Sequence, residues 1–258
     1  MKLNFLFPFC KRLIDKLFGF NELFTSKEGE DSIQVLEKKG RRYLILNGGL
    51  QSINYDSSFK LTPTIFDAFL LTADILPPKV VFPRLLLLGL GGGYVARGYL
   101  NFYPRIFVDG VEINKTIISL GKQFFNLAHP YLNIIKDDAQ NFLRQSSRNY
   151  AVIVIDLYKG NQPVSFLSDQ NFLLEIRDHL SYPGVASFNF QKFDQKAKAA
   201  FLKIFREVLV LHLPSNLMVI ATNFPIEPKT LHSRLKRARN PKEKFLRDYV
   251  LSHLKYLK

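Results

Sequence analysis

Four short apolar runs end in residues whose types and spacing could do chemistry. RLLLL is followed by Gly89-Leu90-Gly91-Gly92-Gly93, where missing side chains let the backbone turn sharply and come close to a ligand. The second run ends in Glu112, 23 residues after Gly89. That is close to the offset of roughly 20 at which a carboxylate accepts hydrogen bonds from ribose hydroxyls. The third ends in Asp137-Asp138-Ala139, where an acid can accept from an adenine amino group, and the fourth ends in Asp156. The glycine turn holds no lysine or arginine for a phosphate and lacks the G-x-x-x-x-G-K-[ST] pattern of a nucleoside triphosphate loop. Acids at three strand ends suit a positively charged nucleoside, an adenosyl sulfonium of the S-adenosylmethionine type, better than a dinucleotide. Helix capping remains open for two of them, because Glu112 and Asp138 each precede a helical segment.

Such residues converge only if the runs lie side by side, and the pattern supplies that arrangement. Strand-like runs begin at Arg84 and alternate with helical segments expected at 94–101, 115–126, 139–145, 169–180 and 195–209, with a last strand near 217–223. This alternation predicts an α/β fold: a Rossmann-like parallel sheet of the S-adenosylmethionine-dependent methyltransferase type, with helices on both faces. Ligands of such sheets lie beyond the carboxyl ends of the strands, where all four clusters fall. We assign this domain to residues 61–225, opening with an apolar helical stretch from Pro63 to Leu76. Residues 1–60 form an N-terminal basic segment and a small antiparallel meander read over 33–55, and residues 226–258 form a basic tail expected to be helical.

At 258 residues and 47% hydrophobic, the chain can bury a substantial core. Its net charge of +14 sits mostly at the ends, +8 from Lys229 to Lys258 and +3 over residues 1–20. Such basic termini can meet anionic lipid or nucleic acid, although a solvated helix face is the commoner meaning of a charge run. The apolar N-terminus is broken by Pro8, too early for a membrane span, and residues 9–20 fit a basic amphipathic helix. A single cysteine, Cys10, permits no intrachain disulfide and fits a cytoplasmic setting. The five histidines show no metal-ligand spacing, so no metal is expected.

The motifs taken in order resemble the spermidine synthase family of polyamine aminopropyltransferases. The likeness covers roughly residues 30–190. LILNGGLQ at 44–51 stands for the family's L-x-L-D-G-x-x-Q, and LLLLGLGGGYVAR at 85–97 for its glycine motif. VEIN at 111–114 matches V-E-I-D, DDAQNFL at 137–143 matches D-A-x-x-F-L, and YAVIVID at 150–156 matches Y-D-V-I-I-x-D. The resemblance implies that Gln51, Gly89, Gly91, Gly93, Glu112 and Asp138 hold decarboxylated S-adenosylmethionine or S-adenosylmethionine. It implies that Asp156 is the catalytic base, taking a proton from a small-molecule amine so that the nitrogen can attack beside the sulfonium. It also implies a homodimer as one arrangement.

Departures narrow what is transferred. Gly92 replaces an aspartate that in the family contacts the cofactor's amino group, Lys159 replaces a second aspartate after Asp156, and Asp31 stands where many members have a glutamine. Lysine at 159 repels a polyamine cation. These features resemble a divergent spermidine-synthase-like branch. The leading expectation is aminopropyl transfer to a small amine. The alternatives are methyl transfer, with Arg97 or Lys159 meeting the carboxylate of S-adenosylmethionine, and a catalytically degenerate binding protein on the same fold.

Overall fold

In the computed structural model the described residues are 19–29, 31–54, 61–77, 80, 84–103, 105–160, 162–237 and 241–257. The amphipathic helix expected over residues 9–20 therefore lies outside them, except for Gly19 and Phe20.

The continuous apolar runs form a central sheet buried on both faces. Strands β5 (Arg84–Leu88), β6 (Phe107–Glu112), β7 (Leu132–Lys136), β8 (Tyr150–Ile155) and β11 (Leu180–Phe190) pair in parallel in the order β7-β6-β5-β8-β11. Side chains alternate across a strand. Leu85 and Leu87 of β5 accordingly join one core with α1 (Ile65–Phe69), α2 (Tyr94–Phe102), α7 (Pro228–Lys236) and α8 (Lys244–His253). Leu86 and Leu88 join a second core on the opposite face with α4 (Ala139–Gln145), α5 (Gln170–Asp178) and α6 (Gln195–Ile204).

Beyond β11 the sheet departs from the expected pattern. The helix expected to run to residue 209 stops at Ile204, and Glu207–His212 forms β12, which pairs antiparallel with β13 (Leu217–Thr222). No glycine or proline marks the break, and the charged pair Arg206-Glu207 that falls there also fits the exposed face of a continuing helix, so helix and strand look continuous in the sequence. Strand β13 pairs antiparallel with β11, which makes the sheet mixed at this edge. The segment 226–258 packs Leu231, Leu235, Leu246 and Val250 into the first core. It ends in β14 (Leu254–Leu257), which pairs with β12 as the outermost strand of the sheet. Its Lys229, Lys236, Lys242, Lys244 and Lys255 are exposed, as on a solvated helix face.

Four strands form the separate antiparallel sheet, β1 (Asn21–Glu28), β2 (Asp31–Lys38), β3 (Arg41–Leu46) and β4 (Gly49–Ile53), and β9 (Tyr158–Lys159) and β10 (Gln162–Pro163) pair as a short ribbon after β8. Its Ile33, Val35, Leu44 and Leu46 pack on Ile117, Leu120 and Phe125, the first two of which belong to α3 (Lys115–Phe124). Arg42 fastens the contact by donating to the Phe124 carbonyl at 2.8 Å. The meander thereby reaches over the carboxyl ends of β5 and β6. Among the described residues no helix is long and apolar enough to cross a membrane.

One buried ion cluster ties the C-terminal helices to the rest. Arg247, 2% exposed, pairs with the fully buried Glu243 and with Asp74, and donates to the Leu235 carbonyl. Removing one member leaves a buried charge without compensation. Arg247→Ala is expected to lower stability by about 3–5 kcal/mol in chemical denaturation.

Candidate active site

The site starts from a contact between two strand ends. Gly89 follows β5 with φ +87°, and a Cβ built on it would lie 2.1 Å from the Asp156 carbonyl oxygen. Only a residue without a side chain fits there. The Asp156 amide in turn donates to the Leu88 carbonyl at 2.8 Å, while the Gly89 and Leu90 amides both donate to the Val111 carbonyl at 3.0 Å. Glycine turn, β6 end and β8 end are thus locked to one another.

Glu112 closes the turn. Its two carboxylate oxygens accept from the Gly91 amide at 2.9 Å and the Asn114 amide at 3.0 Å. A carboxylate has about four acceptor sites, so these bonds leave it capacity to accept from a ribose hydroxyl. Burial pushes the Glu112 carboxyl above its ordinary range, against the backbone N–H groups of Asn114, Gly91 and Ile113, which favour the charge. Capping does not explain Glu112, since Asn114 caps α3 by accepting from the Thr116 and Ile117 amides. Asp138 does cap α4, through the Asn141 amide at 3.0 Å, and Asp137 accepts from the Asp138 amide and the Asn141 side chain.

Gln51, Gly89, Gly91, Glu112, Asp138 and Asp156 all line one cavity of about 460 Å³. Gly93 does not. It opens α2 at φ +84°, and a Cβ there would lie 2.0 Å from the side chain of Leu127, so its glycine serves the turn and the packing beneath it. Gln51 reaches the cavity from β4 and donates to the Gly160 carbonyl at 3.4 Å, which bridges the meander to the loop after Asp156.

A second cavity, of about 730 Å³, shares Gln51, Phe66, Tyr94, Asp156 and Tyr158 with the first. Asp156 therefore stands where the two meet. Its Oδ1 accepts from the Asn189 side-chain amide at 2.8 Å, and the Asn189 Oδ1 accepts from Asn216 at 2.9 Å, so that side-chain amide is held with its N–H toward the acid. Burial raises the Asp156 carboxyl from 3.8 to about 6, the Asn189 bond opposes that, and the Glu112 charge adds to it. Tyr158 is pushed up to about 12, by burial first and then by the Asp156 charge.

The departures have structural partners. A Cβ on Gly92 would lie 2.8 Å from both Cβ and Oγ of Ser52, so the meander fills the space a side chain would need. Lys159 and Asp31 line the first cavity, and Arg97 lines neither. Asn189, Asn216, Tyr158, Phe66 and Ser52 were not singled out from sequence. Asn189 left one signal, a polar residue inside the apolar run ASFNF. Among the described residues no group of three or more His, Cys, Asp or Glu could hold a metal ion.

Two outcomes follow from the state of Asp156. The Asn189→Leu variant removes a side-chain donor to the acid and should move its titration upward from about 6, read by carbon NMR of labelled aspartate. Because folding raises this pKa, the carboxyl binds its proton more tightly folded than unfolded. Its cost to stability is absent below about 3.8 and complete above about 6. Asp156→Asn should then be more stable than the wild type by about 2–3 kcal/mol at pH 8, a gain that vanishes by pH 4 in parallel urea titrations.

Comparison with known proteins agrees with this geometry. No family model matches the chain. A polyamine aminopropyltransferase of Neisseria meningitidis serogroup A is 26% identical over 235 residues, covering 85% of this chain and 86% of the relative. Among solved structures, a spermidine synthase in complex with the transition state analogue AdoDATO superposes with a TM-score of 0.67 at 16% identity, covering 90% of this chain and 82% of that one. Human methyltransferase-like protein 13 in complex with SAH superposes at 0.58 with 20% identity, covering 68% of this chain and 93% of that one. The strand ends, the cavity between them and the meander above thus sit in a chain that is similar along most of its length to the polyamine aminopropyltransferases and has the spermidine synthase fold.

Proposed function

We propose that this protein is a transferase that moves an aminopropyl group from decarboxylated S-adenosylmethionine to a small amine, with Asp156 as the base. The observation that carries this reading is the position of Asp156 at the junction of the two cavities. One cavity takes the adenosyl group, with the ribose on Glu112 and the adenine toward Asp137 and Asp138. The other takes the acceptor. The fit of the first cavity to an adenosyl group rests on the remaining acceptor capacity of Glu112 and on Gly91, whose missing side chain leaves the turn open.

The sulfonium, when bound, supplies an electrophilic carbon with a neutral thioether as leaving group. An alkylammonium has no lone pair for that carbon. Asp156, poised near 6 and held by Asn189, takes the proton, the freed nitrogen forms the C–N bond, and the C–S electrons stay on sulfur as methylthioadenosine. The buried setting keeps the acid basic enough to do this near neutral pH. We set the enzyme in the cytoplasm, consistent with its single cysteine.

Gly92 and Lys159 favour a second reading, methyl transfer from S-adenosylmethionine. Ser52 occupies the space beside Gly92, so no acid stands there to repel a methionine carboxylate, and Lys159 lies on the cavity wall to meet one.

Incubation with decarboxylated S-adenosylmethionine and a panel of amines is expected to release methylthioadenosine. The kcat/KM should fall as pH drops through about 6, where Asp156 gains its proton. Asp156→Asn should lose at least about a hundredfold in kcat. Release of S-adenosylhomocysteine from S-adenosylmethionine, with no reaction of the decarboxylated form, would establish methyl transfer instead.

A further inference from the structure

Two amide side chains connect Asp156 to a tyrosine hydroxyl. The side-chain amide of Asn216, in the β12–β13 turn, donates to Asn189 Oδ1 at 2.9 Å and to the Tyr158 hydroxyl at 3.4 Å. Asn189 in turn donates to Asp156 Oδ1 at 2.8 Å, which leaves Oδ2 to accept a proton. Tyr158 itself is placed by backbone contacts: β9 pairs with β10, and Gln51 donates to the Gly160 carbonyl in the same loop. Neighbouring side chains on a strand point to opposite sides. Lys159 accordingly lines only the first cavity, whereas Tyr158 lines both.

Among the described residues, Gln51, Phe66, Tyr94, Asp156 and Tyr158 line both cavities. Phe66 has no polar side-chain atom, the Gln51 amide is turned to Gly160, and the Tyr94 hydroxyl donates to Asp67. Tyr158 is the member of this set whose hydroxyl shares a hydrogen-bonded network with Asp156. Burial first, and then the Asp156 charge, push that hydroxyl up to about 12, so it stays neutral over the range in which Asp156 titrates. A hydroxyl oxygen has two acceptor lone pairs, and Asn216 uses one.

An alkylammonium carries three N–H groups. Asp156 Oδ2 removes one proton, and the lone pair left behind forms the C–N bond while the C–S electrons pass to sulfur. As that bond forms, the nitrogen becomes cationic again and the two N–H groups it keeps become stronger donors. An acceptor fixed beside them therefore stabilises the transition state more than the ground state. We propose that Tyr158 is a second catalytic residue, whose hydroxyl oxygen accepts one N–H of the reacting nitrogen while Asp156 takes the proton, and that Asn216 is the positioning residue that holds Tyr158 and Asn189 in register. This role rests on the reading of Asp156 as the base and of the second cavity as the acceptor site. It concerns the reacting nitrogen alone, so it applies equally to a monoamine and a diamine.

The test compares the full-length wild type with Tyr158→Phe, which keeps the ring and loses the hydroxyl. Both are assayed for methylthioadenosine release from decarboxylated S-adenosylmethionine with 1,3-diaminopropane, 1,4-diaminobutane or phenethylamine, whichever turns over fastest. The variant is expected to lose at least about tenfold in kcat/KM for the amine. Its KM for the donor, its calorimetric affinity for 5′-methylthioadenosine and the pH midpoint near 6 should stay as in the wild type. Asn216→Leu should lower kcat/KM for the amine and also raise that midpoint, because Asn189 is then free to turn its Oδ1 toward the acid. An unchanged kcat/KM in Tyr158→Phe would overturn the proposal, and so would a loss that falls on nucleoside affinity instead. An unmoved midpoint in Asn216→Leu would overturn the part assigned to Asn216. A wild type that releases no methylthioadenosine with any of the three amines would count against the proposed function itself, and this role would fall with it.

Discussion

The close approach of Gly89 to Asp156 is the constraint on which the rest depends. Parallel pairing of β5 and β8 brings the two strand ends together, and the 2.1 Å separation between a would-be Cβ and the Asp156 carbonyl oxygen leaves no room for adjustment. With that contact made, the glycine turn is fixed beside Asp156. Glu112 then holds the turn from the neighbouring strand, and the meander covers it through α3. The turn and Asp156 are therefore placed relative to each other by backbone packing. Side-chain flexibility has little part in it.

Two buried aspartates on adjacent parts of the sheet show how partners decide what an acid does. Asp109 lies on β6, three residues before Glu112 and toward the amino end of the strand. It accepts from Arg84, Asn133, Arg148 and Tyr150, which come from β5, from β7 and from the segment leading into and beginning β8. Such a carboxylate is satisfied by donors and clamps strands together. Among the described residues Asp156 has one side-chain donor, Asn189, and its carboxyl is raised to about 6. The first spends its charge on the fold. The second keeps an affinity for a proton, at some expense of stability.

Much of this was legible in the sequence because it depends on local signals. LLLL and VIVI read as strands buried on both faces, and the acids that end the runs converge because parallel strands place their carboxyl ends on one side. Glu112 and Asp156 could be named from that rule together with the family likeness. What escaped depends on contacts between residues distant in sequence. Asn189 and Asn216 become a pair only through the β11–β13 pairing, and Ser52 matters only because β4 lies over Gly92. Gly93, expected among the cofactor-binding glycines, does not line the cavity, and its packing against Leu127 is a contact no spacing rule reveals. Strand β12 was hidden because no glycine or proline separates it from the helix before it, and β14 by the charge around it.

The central claim is that a single adenosyl cavity opens at Asp156 onto a second, acceptor cavity. A crystal structure of the protein with 5′-methylthioadenosine tests it most directly. The account requires the ribose hydroxyls on the Glu112 carboxylate and the sulfur facing the junction beside Asp156, with Asn189 still donating to that acid. A nucleoside bound elsewhere, or bound with its sulfur directed away from Asp156, would contradict it.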